Sequence, residues 1–563
     1  MEIEVNMDYK KLAELLFPEI DKTPEYYEEL YPKRDLPEGA KVTRLGPSPT
    51  GFIHLGNLYG AFADERLAHQ SGGSFILRIE DTDDKREVEG AVEIIINSLR
   101  FFGINFDEGA SMEGDIGAYG DYTQSHRGPI YQCFAKKLVA EGKAYPCFLT
   151  EEEIASIREE QQAIKANPGI YGKWAKSRDL TYEEIEAKIN AGEKFVIRLK
   201  SDGNLDLPED QIRRIKVKDA IRGTLDMPEN DQDTVILKQT GIPTYHFAHV
   251  IDDHLMGTTH VVRGAEWLPS LPIHIELFEK LGWEPMLYCH TAQLMKIDES
   301  GNKRKLSKRL DPELSLDYYR NLGYHPAAVR EYLLTILNSN FEEWRLANPD
   351  ADIDEFEFTT EKMSNSGALF DLNKLNDVSK EVLLKIPAAD LYDFLKDWAD
   401  EFKADDEGVQ TMLKDRAYLE KILDIGRHAE RNPRKDHIYA EQMVRNLSYF
   451  FDETFEIEDE MPAEVVNAGD VATIINKYLE TYDHSDDNET WFNKIRAITD
   501  ELGYAVKPKD FKKHPEEYKG HVGHVSTVIR VALMGRQQSP DIWEIQQILG
   551  EDRVRARLEK FAK

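Results

Sequence analysis

The sequence predicts an α/β fold: a Rossmann-type parallel-sheet domain, interrupted by an inserted α+β module and followed by an all-α region. Three observations predict it. A strand–loop–helix–strand unit spans about Lys41 to Ile79, strand character returns at Thr244–Val250 and His260–Arg263, and nearly everything after Arg309 has helical spacing.

Residues 1–40 carry Leu12, Leu15, Leu16 and Phe17 at helical spacing and then an acidic, Pro-containing segment, which predicts a helical extension packed on the next domain. KVTRLGP is a strand, and PSPTGFIH has loop chemistry. Asn57–Gln70 is a helix with Leu58, Ala61, Phe62 and Leu67 apolar, stopped by Gly72–Gly73. Ser74–Ile79 is a strand that runs into Glu80-Asp81-Thr82-Asp83. This is a βαβ unit whose loop at the helix start suits phosphate, and it opens the first half of the sheet domain, 41–124.

The inserted module covers 125–243, with helices at Ile130–Glu141 and Thr150–Gln162 and strands at Phe195–Lys200 and Ile215–Lys218. The second half of the sheet domain, 244–312, adds a helix at Ser270–Leu281 and the basic loop KLSKR, Lys305–Arg309. A helical region, 313–385, begins with Pro326–Leu337 and ends in Leu372–Ile386. A helical bundle, 386–563, follows with Leu391–Phe402, Thr411–Ile425, Val471–Tyr482, Glu489–Glu501 and Ile542–Leu549.

A chain of 563 residues needs several cores. Its 41% hydrophobic content excludes extended disorder, and no run of about 18 apolar residues predicts a membrane span. The N-terminus has no secretory pattern, and Cys133, Cys147 and Cys289 form neither a disulfide framework nor a C-x-x-C pair, so a cytoplasmic protein is expected. The formal charge of −34 describes the average field, not the local one. Basic residues still cluster at Arg213–Arg222, Lys303–Arg309, Arg431–Lys435 and Lys507–Lys513; each such cluster alone reads as a solvated face.

His54 sits at the mouth of a helix, and Gly51 and Gly56 let a nucleotide approach the backbone. Lys305 and Lys308 are point charges suited to phosphate. Activating a carboxylic acid with ATP needs no protein nucleophile, only positioning and stabilised phosphate charge. Mg²⁺ is expected on the phosphates with few protein ligands.

RLGPSPTGFIHLGN (44–57), FILRIEDTD (75–83), TYHFAHVIDDHLMGTTHVVRGAEWL (244–268) and KLSKR (305–309) together resemble bacterial glutamyl-tRNA synthetase, a class I aminoacyl-tRNA synthetase. The resemblance is clear over about 41–385. It implies a glutamate–tRNA ligase: glutamate and ATP give glutamyl-adenylate with tRNA present, and the 2′-hydroxyl of the terminal adenosine then attacks. It implies catalytic roles for His54, Lys305 and Lys308, and ATP contacts from Pro47, Gly51, His54, Gly56, Asn57, Lys305, Ser307, Lys308 and Arg309.

Glutamate would meet Arg44, Ser48, Glu80, Tyr245, His249 and Arg263, and Trp267 would meet the tRNA 3′ end. Arg44, helped by Tyr245, is assigned the side-chain carboxylate and Arg263 the α-carboxylate, an assignment open to exchange; Glu80 takes the ammonium. The inserted module would hold the acceptor end, and the helical bundle would read the anticodon, with Arg431–Lys435 and Tyr439 as a candidate strip.

The implied partner is tRNA(Glu); the alternative is a non-discriminating enzyme that also charges tRNA(Gln) with glutamate. A monomer is implied. A catalytically silent RNA-binding protein is the rival from another class, and intact His54, Lys305 and Lys308 speak against it. Cys147 lies where some relatives begin a zinc site, but no second ligand follows nearby, so no protein-bound zinc is expected. The chain departs from the pattern at Asn57, where the wider class has a second histidine, at His249, often asparagine in relatives, and in its 40-residue extension.

Overall fold

The computed structural model describes all residues except 1–6, 50–51, 84–87, 89 and 430–431, so Gly51 and Arg431 lie outside the described residues. The chain forms two compact units, Met1–Leu316 with Leu333–Asp371, and Asp317–Tyr332 with Leu372–Lys563. No described helix is long and apolar enough to cross a membrane.

The first unit begins with α1 (Tyr9–Leu16) and α2 (Pro24–Leu30), capped by the Asp8 and Thr23 side chains. The expected βαβ unit follows as β1 (Val42–Leu45), α3 (Leu55–Gln70) and β2 (Ser74–Leu77), with β1 and β2 parallel from Val42↔Ser74 to Leu45↔Leu77. Helix α4 (Ala91–Phe101) leads to the short β3 (Glu108–Gly109), parallel to β2. Helix α5 (Gly128–Ala140) gives the extension its seat: Leu12, Ala13, Leu16 and Tyr27 share a buried core with Phe134 and Leu138. Lys136 locks the contact by donating to the carbonyls of Phe17 and Ile20.

The segment from β4 (Ala144–Cys147) through α6 (Glu151–Ala163), α7 (Tyr182–Asn190) and β5 (Val196–Leu199) closes an antiparallel sheet, β4–β5–β8, with β8 at Val235–Leu237. Between β5 and β8 runs a hairpin, β6 (Arg214–Asp219) and β7 (Gly223–Pro228). It does not join the β4–β5–β8 sheet. It extends the other sheet, because β6 pairs in parallel with β10 (Leu287–Thr291) at Asp219↔Tyr288.

The predicted strand at Thr244–Val250 is instead a helix, α8 (Tyr245–Leu255). Thr244 is extended, and its carbonyl accepts the N–H groups of Phe247 and Ala248. Every residue from Phe247 to Asp253 is buried, so no solvent-facing stripe marks the helical period in the sequence. The predicted strand at His260–Arg263 is β9 (His260–Gly264), and α9 (Leu271–Leu281) ends on Gly282 in the left-handed region.

β9 is parallel to β10, and Thr259 ties β9 to the edge of β1: its N–H donates to the Val42 carbonyl at 2.9 Å. The resulting layer runs β3–β2–β1, then β9–β10–β6–β7. Strand order reverses between β1 and β9, where doubly wound sheets open a crevice at their carboxyl ends. A small sheet of β11 (Leu294–Ile297), β12 (Lys303–Lys305) and β13 (Ala368–Leu369) carries the basic loop.

The second unit is helical among its described residues. Its core gathers Leu391, Trp398, Ile422, Ile474, Tyr478 and Ile495 around Val522–Met534. That helix buries Val525, Val528, Ile529 and Val531 through Met534. Thr411–Ile425, predicted as one helix, is two, Glu407–Met412 and Arg416–Leu423, each started by an aspartate cap at Asp406 or Asp415. The second cap satisfies the N–H of Tyr418 and so favours a fresh start over a continuous helix.

Candidate active site

A cavity of about 530 Å³ opens at the carboxyl ends of β1, β9 and β10. Of the residues singled out in the sequence, Arg44, Pro47, Ser48, His54, Gly56, Asn57, Glu80, Tyr245, Arg263, Trp267, Lys305 and Lys308 line it. Ser307 and Arg309 do not, and His249 is fully buried beneath the Tyr245 ring, stacked at 5.8 Å.

The floor is a buried charge network. The Asp253 carboxylate accepts Arg44 Nε–H at 3.1 Å and Arg78 Nη1–H at 2.6 Å, and lies 2.6 Å from His249 Nδ1. Arg78 in turn donates from Nη2 to Glu80 Oε1 at 2.9 Å. Burial raises Asp253, but Arg44 and Arg78 together hold it well below the usual carboxylate range. Burial pushes Glu80 upward against the pull of Arg78 and Arg44. Gly46 makes the approach of Glu80 possible, since a Cβ there would sit 2.2 Å from Glu80 Oε1. Asp64, also lining the cavity, is pushed well above the usual carboxylate range by burial. Arg44 and Arg78 thus pair with Asp253 and Glu80, whereas Arg263 has no ion-pair partner among the described residues, Glu266 being a further carboxylate of the cavity wall.

Arg263 is held by uncharged acceptors. Its Nε–H donates to His290 Nε2 at 3.0 Å, and its Nη1 lies 3.2 Å from His274 Nδ1 and 3.4 Å from the Tyr245 hydroxyl. Tyr245 thus contacts Arg263, where the sequence reading had it assist Arg44. Arg263 Nη2 is buried without a hydrogen-bond partner. Burial depresses His246 to about 4 and His249 to about 3, and puts His274 well below the usual histidine value, so all three are neutral near pH 7.

The other half of the cavity is suited to phosphate. His54 is the N-cap of α3: its Nδ1 accepts the Asn57 N–H at 3.2 Å, while Asn57 Oδ1 accepts the His54 N–H at 3.1 Å. Asn57 therefore serves as the capping-box partner of His54. With Nδ1 as acceptor, the neutral ring carries its proton on Nε2. Burial, then Lys308, holds the His54 pKa down. Gly56 leaves room for this ring, since a Cβ would be 3.0 Å from His54 Cε1. Lys308 Nζ stands 3.9 Å from the Phe52 ring centroid. The basic loop is anchored by buried Asp311, which pairs with Arg304 at 2.6 and 2.7 Å and accepts the Ser307 N–H at 2.8 Å.

The sequence reading missed Arg78, Asp253, His274 and His290. Arg78 and Glu80 share one strand direction at i, i+2, and His249 and Asp253 share one helix face at i, i+4, which are the only local signals for them. The helical unit holds a second cavity, of about 860 Å³, lined by Arg434, Tyr439, Arg445, Tyr449, Arg536 and Gln538 among others. Of the strip named in the sequence, Arg434 and Tyr439 line it, whereas Lys435 pairs with Glu381 at 2.7 Å.

Residues 41–377 match the family of class I tRNA synthetases (E and Q), catalytic domain, and residues 390–562 match an anticodon binding domain. Parallel sheet, crevice and basic loop thus define a class I aminoacyl-tRNA synthetase. A glutamate–tRNA ligase of Acetivibrio thermocellus is 62% identical over 556 residues, covering 99% of this chain and all of that protein. One from Clostridium perfringens strain SM101 is 50% identical over 559 residues, with the same coverage. The crystal structure of a glutamate–tRNA synthetase from Elizabethkingia anophelis superposes with a TM-score of 0.72 at 27% identity, covering 93% of this chain and 99% of that one. The chain belongs to the glutamate–tRNA ligase family.

Proposed function

We propose that the cavity joins L-glutamate to ATP and that the chain then transfers the glutamyl group to the terminal adenosine of tRNA(Glu). The observation that carries this reading is the pairing of the floor: among the described residues Arg44 and Arg78 have ion-pair partners and Arg263 has none, its Nη2 being buried and unpartnered. Glutamate brings two carboxylates and one ammonium, so its net charge suits that guanidinium. Glu80 would accept the ammonium, and Arg44 and Arg263, which line the same cavity, would meet the carboxylates.

The chemistry follows from positioning. The substrate carboxylate attacks the α-phosphorus of ATP and pyrophosphate leaves. The His54 Nε2–H donates to phosphate oxygen, and Lys305 and Lys308 gather the charge that builds on the leaving group. Mg²⁺ would arrive on the nucleotide's own phosphate oxygens and offset their charge, since on this side of the cavity Lys305 and Lys308 stand with Glu266 as the nearby carboxylate acting on His54. Trp267, 36% exposed at the rim and 4.4 Å from the Tyr245 ring, would meet the tRNA end.

A need for ATP and tRNA supports a cytoplasmic enzyme. The cavity in the helical unit would take anticodon bases, with guanidinium and phenol groups for stacking and hydrogen bonds. Charging of purified tRNA(Glu) and tRNA(Gln) with each amino acid tests the reading. Glutamyl-tRNA(Glu) alone is expected. Absence of glutamylation would overturn the function, and glutamylation of both tRNAs would overturn the single-tRNA range.

A further inference from the structure

Arg263 is gripped at Nε by the ring of His290, which is fully buried at the end of β10. The other ring nitrogen of His290, Nδ1, lies 2.7 Å from Asp219 Oδ2, which also accepts the His290 backbone N–H at 3.1 Å. A carboxylate only accepts hydrogen bonds. The imidazole proton must therefore sit on Nδ1, and Nε2 presents a lone pair to the Arg263 Nε–H. Burial, the first cause, keeps His290 below the ordinary histidine value, so the ring is neutral and an acceptor is available.

Asp219 itself is fixed. It is 2% exposed, ends β6, and its Oδ1 accepts the N–H groups of Ile221 and Arg222 at 2.9 and 2.8 Å. Arg222 closes the contact by donating from Nε to the His290 carbonyl at 3.0 Å, and the Ala220 N–H donates to the Tyr288 carbonyl. The β6–β7 hairpin thus ends in a clamp on β10.

We propose that Asp219 and His290 are positioning residues for the amino-acid site: Asp219 selects the His290 tautomer, and His290 orients Arg263, which lines the cavity, for the substrate carboxylate. The arrangement has an electrostatic benefit. Asp219 lies one imidazole away from the guanidinium, so Arg263 is oriented without the charge neutralisation that Asp253 imposes on Arg44 and Arg78. If the tautomer were inverted, an N–H on Nε2 would oppose the N–H of Arg263 Nε, and the guanidinium would have to turn away.

The inference rests on the proposed activation of glutamate, and its test is glutamate-dependent ATP–pyrophosphate exchange by the full chain with tRNA(Glu) present. Asp219→Asn removes the selection, because the amide can donate to Nδ1 as well as accept. The KM for glutamate should rise about tenfold or more, with the KM for ATP and kcat within about twofold of wild type. His290→Ala should show the same split. His290→Gln, whose carbonyl can replace the Nε2 acceptor, should restore most of the affinity, and in that background Asp219→Asn should cost under about twofold.

An equal loss from Asp219→Asn in both backgrounds, an unchanged glutamate KM, or a parallel rise in the ATP KM would overturn the proposal. If Asp219→Asn fails to fold, the His290→Ala and His290→Gln pair decides, with equal KM values counting against it. Wild-type protein with no exchange on glutamate would instead overturn the activity on which the inference depends.

Discussion

Replacing Asp253 by Asn should destabilise the first unit more than any other single isosteric change in the active site. Asp253 has no exposed side-chain surface and receives Arg44 and Arg78 together, with His249 beside it. The amide keeps one acceptor oxygen but removes the charge, leaving two buried guanidinium groups with Glu80, and for Arg78 also the Asp252 carboxylate, as the remaining anions. Breaking a buried pair by removing one partner costs about 3–5 kcal/mol. A change of that size lowers a melting temperature by on the order of 10 °C.

The effect has a definite pH signature. The folded Asp253 pKa is depressed, so its stabilisation is fully present above the unfolded value, near ~3.9, and fades as pH falls through that value toward the folded one. Calorimetric unfolding of wild type and variant at several pH values between about 3.5 and 7 reads this directly. The gap in melting temperature should be largest at neutral pH and narrow at the acid end. A loss below about 1 kcal/mol at pH 7, or a gap that widens on acidification, would refute the network as drawn.

Lys308→Ala should lower the rate of glutamate activation by about 10² or more while tRNA affinity stays within about twofold, read by pyrophosphate exchange and filter binding. An unchanged rate would take Lys308 out of the chemistry. Gly46→Ala places a Cβ 2.2 Å from Glu80 Oε1, so Glu80 must move; the KM for glutamate should rise about tenfold with little change in the KM for ATP. His246 is half-buried and desolvation depresses it to about 4, so the unfolded chain takes up a proton there that the folded chain refuses. Stability should fall as pH drops from about 6.5 to about 4, and His246→Gln should flatten that slope by about 1–3 kcal/mol in denaturant titrations.

What the sequence revealed follows from how local each signal is. His54 with its loop and the lysines of KLSKR could be placed because a helix start and a basic turn are short-range chemistry, and the cavity brings His54, Lys305 and Lys308 together. The first βαβ unit was legible for the same reason. Helix α8 was misread because covering it on all sides erases the periodicity that pattern reading depends on. The central Val522–Met534 helix of the second unit was not singled out: five of its residues, Val522, Val525, Val528, Ile529 and Val531, are buried and β-branched, which reads as strand as readily as helix.

The charged floor was hidden for a different reason. Arg44 and Asp253 are 209 residues apart, and Arg78 and Asp253 are 175 apart. Nothing at either position states that one carboxylate will serve two arginines. Asn57 shows the reverse case. It is a capping partner that fixes the His54 ring, and the Thr150 and Thr181 capping boxes obey the same local rule.

The central claim is that the pocket selects glutamate by charge, through a guanidinium, Arg263, that has no ion-pair partner among the described residues. The direct measurement is kcat/KM for pyrophosphate exchange with glutamate and with glutamine, each with tRNA(Glu) present. Glutamine fills the same space but leaves Arg263 unpaired in a buried site, so glutamate should be favoured by ~10³ or more. Glutamine activated within tenfold of glutamate would contradict the account.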